Sequence, residues 1–317
     1  MRLLVTGGAG FIGSNLVRAA TADAAISDVR IIDDFSTGLA ANLTGLDAEL
    51  VTGSILDDAA LDRAMAGCDA VVHLAALPSV PRSVRDPLAS HAANATGTLR
   101  VLEAARRHDA GHVVVASSSS VYGANPVLPK PELAWTRPLS PYSVSKQATE
   151  AYALAYQSTY GLATLAFRFF NVYGPGQRHD HPYAAVIPRF VHAALTGAPA
   201  TVQGDGLQSR DFTYIDTVCA VLCDAVRRRV SAPHPVNLAF GVRTDLITVL
   251  AELETILGRP IARESAPVRP GDVRHSQADN AALRGLFPAA APHPLDAGLR
   301  ATVAWFEANV AVGALAG

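Results

Sequence analysis

The stretch LLVTGGAGFIG, residues 3–13, leads from a short apolar run into a glycine-rich turn and then into a helical pattern. Its glycines, Gly7, Gly10 and Gly13, have the spacing G-x-x-G-x-x-G. A diphosphate binds against backbone amides at the N-terminus of a helix, and only residues without side chains let it come that close. A strand, this turn and a helix in succession therefore predict a dinucleotide-binding site.

An acidic residue ends the next apolar run. Val29–Ile32 reads as a second buried strand, and Asp33 follows it, twenty residues after Gly13. A carboxylate at this place can accept hydrogen bonds from the adenosine ribose hydroxyls, and it would repel a 2′-phosphate. The sequence therefore favours NAD over NADP as the cofactor.

Apolar runs and amphipathic segments continue to alternate through the first half of the chain. We predict further strands over 49–52, 70–74 and 112–116 and helices over 56–65 and 91–107. This alternation is typical of an α/β fold with a Rossmann-type, doubly wound parallel sheet. Ligands of such sheets bind beyond the carboxyl ends of the strands, where the glycine turn, Asp33 and four serines at 117–120 fall.

The regular alternation ends after a strand predicted at 163–169, where a long Gly/Pro loop begins. We predict a dinucleotide-binding domain over residues 1–170, with a returning segment at about 214–240, and a smaller α+β substrate lobe over 171–213 and 241–317. In this half we predict helices over 184–195, from Asp216 (its cap) to about Val230, over 246–257 with Thr244 as its cap, and over 295–310, and strands over 201–203, 211–215, 236–239 and 261–265.

Composition narrows the class of protein. The chain has 317 residues, of which 50% are hydrophobic and 17% charged, and its formal net charge is −2. A near-neutral chain without basic tracts argues against nucleic-acid binding. The three cysteines predict packed thiols rather than a metal site or disulfide. Because no signal peptide precedes the first strand and no run approaches the roughly 20 apolar residues of a membrane span, we expect a cytoplasmic protein without a membrane partner.

A tyrosine and a lysine share one face of a predicted helix. Ser140 can cap this helix, Pro141 suits its first position and Gly161 can end it. Tyr142 and Lys146 are four residues apart, so their side chains lie one turn from each other. A phenol titrates near ~10 and becomes a useful base near neutrality only beside a positive charge. Taken alone, the spacing is weak evidence, and a tyrosine at a helix edge with a solvated lysine is the better explanation of it.

Eight motifs in a fixed order resemble one family. They are TGGAGFIG at 6–13, DDFSTG at 33–38, HLAA at 73–76, SSS at 117–119, YSVSK at 142–146, RFFN at 168–171, QSRDF at 208–212 and RPGD at 269–272. Together they resemble the extended short-chain dehydrogenases, and among these the NAD-dependent sugar-nucleotide epimerases and dehydratases. The resemblance covers essentially the whole chain.

The resemblance implies a role for each matching residue. Tyr142 would be the catalytic base and acid, Lys146 would bind the nicotinamide ribose and lower the pKa of the tyrosine, and Ser118 would hydrogen-bond the reacting hydroxyl. The cofactor-binding residues implied are Gly7, Gly10, Phe11, Ile12, Gly13, Asp33, Phe35, Ser36, Thr37, Gly38, Ser54, Ile55, Leu74, Ala75, Ala76, Asn94, Tyr142 and Lys146. The substrate-binding residues implied are Ser118, Ser119, Ser120, Asn171, Arg178, Val186, Ile187, Val202, Gln203, Arg210, Arg269, Asp272 and Ser276.

The assignments of the two arginines have a clear chemical basis, and Ser54 departs from the family pattern. Asn171, Arg210 and Arg269 would hold the diphosphate of the sugar nucleotide, and Asp272 would hold its ribose. The two arginines suit this role because forked guanidinium donors match phosphate oxygens. Ser54 stands where the family commonly has an aspartate that contacts the adenine amino group. A serine accepts that hydrogen bond more weakly, so adenine recognition is expected to be weaker here.

The serine run separates two reactions within the family. The dehydratases have Thr-Asp-Glu where this chain has three serines at 118–120, and elimination of water needs such an acid and base. The serines therefore point to 4-epimerisation of a UDP-sugar. In that reaction Tyr142 takes the C4 hydroxyl proton, a transient 4-keto sugar forms, and NAD is regenerated in each turnover.

The sugar itself stays open between three candidates. Arg178, in a Gly-Pro-x-Gln-Arg run that resembles UDP-glucuronate 4-epimerases, could face a carboxylate, so UDP-glucuronate is the first expectation. Those enzymes commonly have threonine where this chain has Asn171, and the runs at 79–83 and 183–190 look more like epimerases of UDP-glucose or UDP-N-acetylglucosamine. The small Ser276 leaves room for an N-acetyl group. An Arg178 that points to solvent is an equally weighted alternative.

Two rival functions and an assembly state complete the expectations. A reductase of the same family would release NAD(P)H in each turnover, and a non-enzymatic NAD-binding regulator would typically lack the Tyr142/Lys146 pair. Members of the family are commonly dimers through two helices of each subunit. We therefore expect a homodimer, with helices 91–107 and 142–160 as candidates for its interface.

Overall fold

A computed structural model describes residues 1–180, 184–267 and 273–310, which form thirteen strands and eleven α-helices. The strands are β1 (Arg2–Thr6), β2 (Asp28–Asp33), β3 (Glu49–Thr52), β4 (Ala70–His73), β5 (His112–Ser118), β6 (Ala163–Phe169), β7 (Val172–Tyr173), β8 (Ala200–Gln203), β9 (Ser209–Asp211), β10 (Thr213–Tyr214), β11 (Val236–Leu238), β12 (Arg243–Asp245) and β13 (Arg263–Ala266). The helices are α1 (Phe11–Thr21), α2 (Asp58–Met65), α3 (Val80–Arg85), α4 (Pro87–His91), α5 (Gly97–Arg107), α6 (Pro141–Tyr160), α7 (Val186–Thr196), α8 (Ile215–Arg228), α9 (Leu246–Leu257), α10 (Ala281–Leu286) and α11 (Leu295–Val310).

Seven parallel strands form the central sheet, in the order β11-β6-β5-β4-β1-β2-β3. The inner strands β1, β4 and β5 are rich in Leu and Val and are almost entirely buried, as expected for a sheet that helices cover on both faces. Chain order reverses beside β1, which has β2 on one side and β4 on the other. This arrangement confirms the predicted Rossmann-type sheet, and it places the ligand crevice at the carboxyl ends of β1 and β4.

The second half of the chain packs small strand pairs against the sheet. The pairs are β7 with β10, β8 with β13, and β9 with β12. The returning segment contributes β11, which pairs with β6, and α8, which packs against α1. One hydrophobic cluster joins Leu3 of β1, Leu250 of α9 and Phe306 of α11, so the sheet and the second half share a core. The division into two domains stays a prediction.

Helix ends agree with the sequence where the signal lies within the helix itself. Ser140 caps α6, since its Oγ accepts a hydrogen bond from the Ser143 amide at 3.1 Å, and Gly161 ends it with φ +70°. Two predicted caps are wrong. Helix α8 begins at Ile215 after Tyr214, which places Asp216 inside the first turn, and Asp245 rather than Thr244 caps α9.

Two further observations concern the predicted strand at 211–215 and the cysteines. The strand is interrupted at Phe212 and forms β9 and β10. All three cysteines are buried free thiols.

Among the described residues, no helix combines the length and apolar character that crossing a membrane requires.

Candidate active site

Two adjoining cavities lie beyond the carboxyl ends of the sheet strands. The larger, of about 860 Å³, runs from the glycine turn to Tyr142 and Arg178. The smaller, of about 300 Å³, is lined by Arg189 and Arg210. Four residues line both cavities, namely Asn171, Val172, Gln177 and Ala185. The two spaces therefore meet at the start of the Gly/Pro loop.

The glycine turn has no room for side chains. Gly7 has φ +73°, and a Cβ added to it would lie 2.7 Å from the Ala75 amide nitrogen. A Cβ on Gly13 would lie 2.2 Å from the carbonyl oxygen of Gly7. Helix α1 begins directly after Gly10, which provides no side-chain cap. This is the geometry that a dinucleotide diphosphate requires at a helix N-terminus.

Asp33 fixes the turn from the end of β2. Its two carboxylate oxygens accept hydrogen bonds from the backbone amides of Ala9 and Phe35, each at 2.8 Å. Burial raises the pKa of Asp33 above its usual value, and these two hydrogen bonds oppose that rise. Each oxygen has a further lone pair, so the carboxylate can also accept from ribose hydroxyls. The residue therefore fits the ribose of NAD.

A second carboxylate, which the sequence analysis missed, lies at this end of the cavity. Burial alone would raise the pKa of Asp34, but hydrogen bonds from Ser36 and Ser54 hold it below its usual value. Asp34 and Ser54 both line the larger cavity. Where the family commonly has an aspartate at position 54, this chain places a serine that donates to Asp34. The doubled aspartate at 33–34 was the available signal.

Tyr142, Ser118 and Lys146 come together at the other end of the larger cavity. Burial raises the pKa of Tyr142, and a hydrogen bond with the Ser118 side chain opposes that rise. The Lys146 ammonium donates to the carbonyl oxygen of Ala116 at 2.7 Å. Burial lowers the pKa of Lys146 to about 8, so it is mostly charged at neutral pH. The site therefore holds a phenol, a hydroxyl partner and a cation, as general acid–base chemistry needs.

A buried ion pair between Arg168 and Glu150 is hydrogen-bonded to the segments that carry this cluster. Arg168 donates to both carboxylate oxygens of Glu150, at 3.0 and 2.7 Å. Ser117 donates to Glu150 at 2.9 Å and lies 3.2 Å from the Lys146 carbonyl oxygen. The last residues of β5 and the first turns of α6 are thereby tied together. Such fully paired buried charges hold neighbouring groups in one arrangement.

Arg178 lines the larger cavity, but its guanidinium already has an anionic partner. Its Nε and one terminal nitrogen donate to the two carboxylate oxygens of Asp180, each at 2.8 Å. The side chains are 28% and 26% exposed, respectively. The pair raises the pKa of Arg178 and lowers the pKa of Asp180. The structure therefore does not show the alternative, in which Arg178 points into bulk solvent; its guanidinium is paired with Asp180 on the cavity wall.

The smaller cavity combines cations with apolar walls. Arg210 lines it and is held by hydrogen bonds to the carbonyl oxygens of Ser209 and Arg274, at 2.9 and 3.2 Å. Arg189, which the sequence analysis did not select, lines it as well, and so does Phe212. Arginines beside an aromatic ring suit a nucleoside diphosphate.

Most of the predicted site residues line these cavities. They are Gly7, Gly10, Phe11, Ile12, Gly13, Asp33, Ser36, Thr37, Ser54, Ile55, Leu74, Ala75, Ala76, Ser118, Ser119, Tyr142, Lys146, Asn171, Arg178, Val186, Ile187, Gln203 and Arg210. Predicted residues that the structure describes but does not place on either cavity wall are Phe35, Gly38, Asn94, Ser120, Val202 and Ser276. Arg269 and Asp272 lie outside the described residues.

The residues away from the walls have structural partners instead. Asn94 accepts a hydrogen bond from the Leu77 amide at 2.7 Å and donates to the Ser145 hydroxyl at 2.9 Å, so it joins the loop after β4 to α6. Val202 is part of the hydrophobic core. The Ser276 amide donates to the carbonyl oxygen of Ser209 at 3.0 Å. Sequence alone shows that such residues lie near the site, but not which way they face.

Comparison with known proteins identifies the family. Residues 3–239 match the model of the NAD dependent epimerase/dehydratase family. The chain is 37% identical to a UDP-glucose 4-epimerase of Mycolicibacterium smegmatis, over 97% of this chain and 99% of that protein.

Solved structures agree with this match. A UDP-N-acetylglucosamine 4-epimerase from Methanobrevibacter ruminantium, in complex with UDP-N-acetylmuramic acid, has a TM-score of 0.91 and 35% identity, and the alignment covers 97% of this chain and 98% of that one. A UDP-glucuronic acid 4-epimerase from Bacillus cereus, in complex with UDP-glucuronic acid and NAD, has a TM-score of 0.88 and 29% identity, with coverage of 97% and 99%. Similar proteins therefore act on each of the three candidate sugars.

Proposed function

Because the chain belongs to the NAD-dependent epimerase/dehydratase family and is an NAD-dependent UDP-sugar 4-epimerase, we propose that its preferred substrate has an uncharged hydroxymethyl group at C5, as UDP-glucose and UDP-N-acetylglucosamine both do. The observation that carries this choice is the Arg178–Asp180 ion pair on the wall of the larger cavity. A positive charge that a carboxylate already balances gives little attraction for a second carboxylate.

The catalytic roles follow from the Tyr142 cluster. Tyr142 would take the proton of the sugar's C4 hydroxyl and return it, with Ser118 as the hydrogen-bond partner that keeps the phenol oriented. Lys146 would stabilise the phenolate through its charge. When bound, NAD would supply the reversible hydride chemistry at C4 of the sugar.

The residues that would hold NAD are those of the glycine turn with Asp33 and Asp34. The turn offers an approach free of side chains to the N-terminus of α1, and Asp33 offers acceptors for ribose hydroxyls. The carboxylate of Asp34, which receives a hydrogen bond from Ser54, would serve the adenosine end. Neither residue could accept a 2′-phosphate without like-charge repulsion, which supports NAD over NADP.

The substrate's nucleotide would occupy the smaller cavity. Arg210 and Arg189 line it and would neutralise the diphosphate, and Phe212 would contact the base. Asn171 lines both cavities and would mark the passage from diphosphate to sugar. Arg269 and Asp272 keep their proposed roles toward the diphosphate and ribose on the strength of the family resemblance alone. A homodimer likewise remains a proposal.

UDP-glucuronate is the second candidate, because Arg178 does lie on the wall of the larger cavity rather than away from it. The ion pair with Asp180 is partly exposed, and pairs of this kind stabilise a protein by only about 0.2–1 kcal/mol. A substrate carboxylate could therefore replace Asp180 at modest cost. UDP-glucuronate, the first expectation from the sequence, therefore stays a prediction alongside the sugars with an uncharged C5 group.

Purified protein incubated separately with UDP-glucose, UDP-N-acetylglucosamine and UDP-glucuronate, without added reductant, tests the proposal. We expect interconversion of C4 epimers, with a higher kcat/KM for UDP-glucose or UDP-N-acetylglucosamine than for UDP-glucuronate. A higher kcat/KM for UDP-glucuronate would establish the second candidate. The absence of interconversion with every UDP-sugar would overturn the epimerase assignment, and dependence on added NAD(P)H would indicate a reductase.

A further inference from the structure

We propose that Asp180 is a specificity-determining residue: its carboxylate neutralises Arg178 and so disfavours sugars with a negative charge at C5. This inference rests on the proposed function and deepens it. No residue of the sequence motifs suggests this role, because the pair forms between two members of the Gly/Pro loop and depends on how that loop is folded.

The loop is held in place before the pair and between its two residues. Before it, the Asn15 side chain of α1 donates to the carbonyl oxygen of Pro175 at 3.0 Å. The Gln177 side chain donates to the carbonyl oxygen of Val172 at 3.1 Å. Between the two charged residues, the ring of His179 stacks on the ring of His192 in α7, with centroids 3.8 Å apart. The ion pair is therefore positioned by packing and does not depend on a chance meeting of two flexible side chains.

The geometry of the pair explains how it would discriminate. Two nitrogens of the Arg178 guanidinium point at the two oxygens of Asp180, which is the forked arrangement that a substrate carboxylate would otherwise adopt. A glucuronate carboxylate would have to displace Asp180 or bind beside it, and two neighbouring negative charges repel each other. An uncharged hydroxymethyl group is not repelled by Asp180. Repulsion of the wrong substrate is a common source of specificity.

Asp180→Asn tests the inference, because asparagine keeps the size of the side chain and removes its charge. Arg178 would then present an unbalanced charge to the cavity. We expect the ratio of kcat/KM for UDP-glucuronate to kcat/KM for UDP-glucose to rise about fivefold, the upper end of the effect of a partly exposed charge pair. The double variant Arg178→Met/Asp180→Asn should return the ratio to that of the wild type, since the attracting charge is gone.

A matched control comes from another arginine–aspartate pair. Asp224 bonds Arg228 on α8 with two hydrogen bonds, at 3.0 and 2.6 Å, and its side chain is 29% exposed, close to the value for Asp180. Asp224→Asn should leave the ratio within twofold of the wild type. A ratio that stays unchanged or falls in Asp180→Asn, or one that rises equally in Asp224→Asn, would overturn the proposal.

Binding measurements separate this inference from the proposed function. Titration calorimetry with UDP-glucuronate and UDP-glucose gives dissociation constants without turnover, and the same fivefold change in their ratio is expected for Asp180→Asn. If the wild type epimerised none of the three UDP-sugars, the proposed function would fail, while the dissociation constants would still decide the role of Asp180. If epimerisation occurred but neither ratio changed, only the role of Asp180 would fail.

Discussion

At the scale of single residues, the environment of Tyr142 decides what the site can do. Burial favours the neutral phenol, so Tyr142 by itself is a weak base at neutral pH. The hydrogen bond with Ser118 favours the phenolate. Lys146 lines the same cavity, and the family resemblance implies that its charge favours the phenolate as well. The resemblance implied that Lys146 lowers the pKa of the tyrosine. The structure shows an opposing contribution to the pKa of Tyr142. Burial disfavours the ionised phenolate and so raises this pKa.

Removing the phenolic oxygen should abolish the reaction and little else. Tyr142→Phe retains the ring and its packing, and loss of a general acid–base group typically lowers the rate by about 10²- to 10⁴-fold. NAD should remain bound, because the glycine turn and Asp33 are unchanged. Epimerisation rates and the cofactor content of the purified variant measure the two effects. Tyr152→Phe on the same helix, at a more exposed position, is the control, and near-normal rates for Tyr142→Phe would disprove the assigned base.

At the scale of elements, structural features set within one helix or turn were predicted well. Features that depend on packing against another element were not. Helix α6 begins and ends where Ser140, Pro141 and Gly161 indicate, because capping and left-handed termination are local effects. Asp216 and Thr244 are each next to the true helix start, where several residues could serve as a cap and tertiary packing selects one. The same limit applies to the serines at 117–120: the strand end was predictable, but the way each hydroxyl faces was not.

His73 connects three elements and should make stability depend on pH. It is buried at the end of β4, with its ring nitrogens 2.7 Å from the Thr6 hydroxyl of β1 and 3.1 Å from the Thr98 hydroxyl of α5. Because the Thr98 hydroxyl donates to the carbonyl oxygen of Asn94, it can accept from a neutral imidazole, and the Thr6 hydroxyl can donate to the other nitrogen. Burial, and then repulsion from Lys146, lower the pKa of His73 to about 3.

The unfolded chain binds a proton at His73 near pH 6.5, whereas the folded chain does so only near pH 3. This residue therefore contributes stability above pH 6.5 that is lost as the pH falls toward 3. Relative to His73→Gln, the free energy of unfolding of the wild type should drop by about 2 kcal/mol between pH 7 and pH 5. Urea unfolding at both pH values measures this, with His234→Gln at an exposed site as the control. Parallel pH curves for wild type and His73→Gln would contradict a neutral buried imidazole.

At the scale of the whole molecule, the sheet and its ligand edge were predictable, and the joining of the two cavities was not. Alternating apolar runs and the glycine spacing define the order of strands and helices, since both follow from backbone geometry. The pairing of Arg178 with Asp180 and of Ser54 with Asp34 depends on loop conformation, for which the sequence has no periodic signal. The charge that a substrate meets is therefore the part of the site that only the folded chain defines.

The surface of the molecule carries a candidate for the dimer interface that the family resemblance implies. Leu88 of α4 is 82% exposed and Val144 of α6 is 54% exposed, and α3 and α4 both pack against α6. Exposed large apolar side chains on helices that pack against each other are typical of an interaction surface. This group includes Val144 of the predicted helix 142–160 and adds Leu88 of α4 where the sequence predicted helix 91–107.

A charge placed in this surface should separate the subunits. Leu88→Arg would put a guanidinium into the apolar interface and weaken association by about 2 kcal/mol or more, as for a central interface residue. Sedimentation equilibrium should show a dimer for the wild type and a monomer for the variant at low micromolar concentration, with unchanged circular dichroism. Leu133→Arg is the matched control, because Leu133 is 78% exposed but lies in the loop before α6. A monomeric wild type would exclude this surface, and catalysis would then have to be complete within one chain. Equal dimeric masses for wild type and Leu88→Arg would place the interface elsewhere.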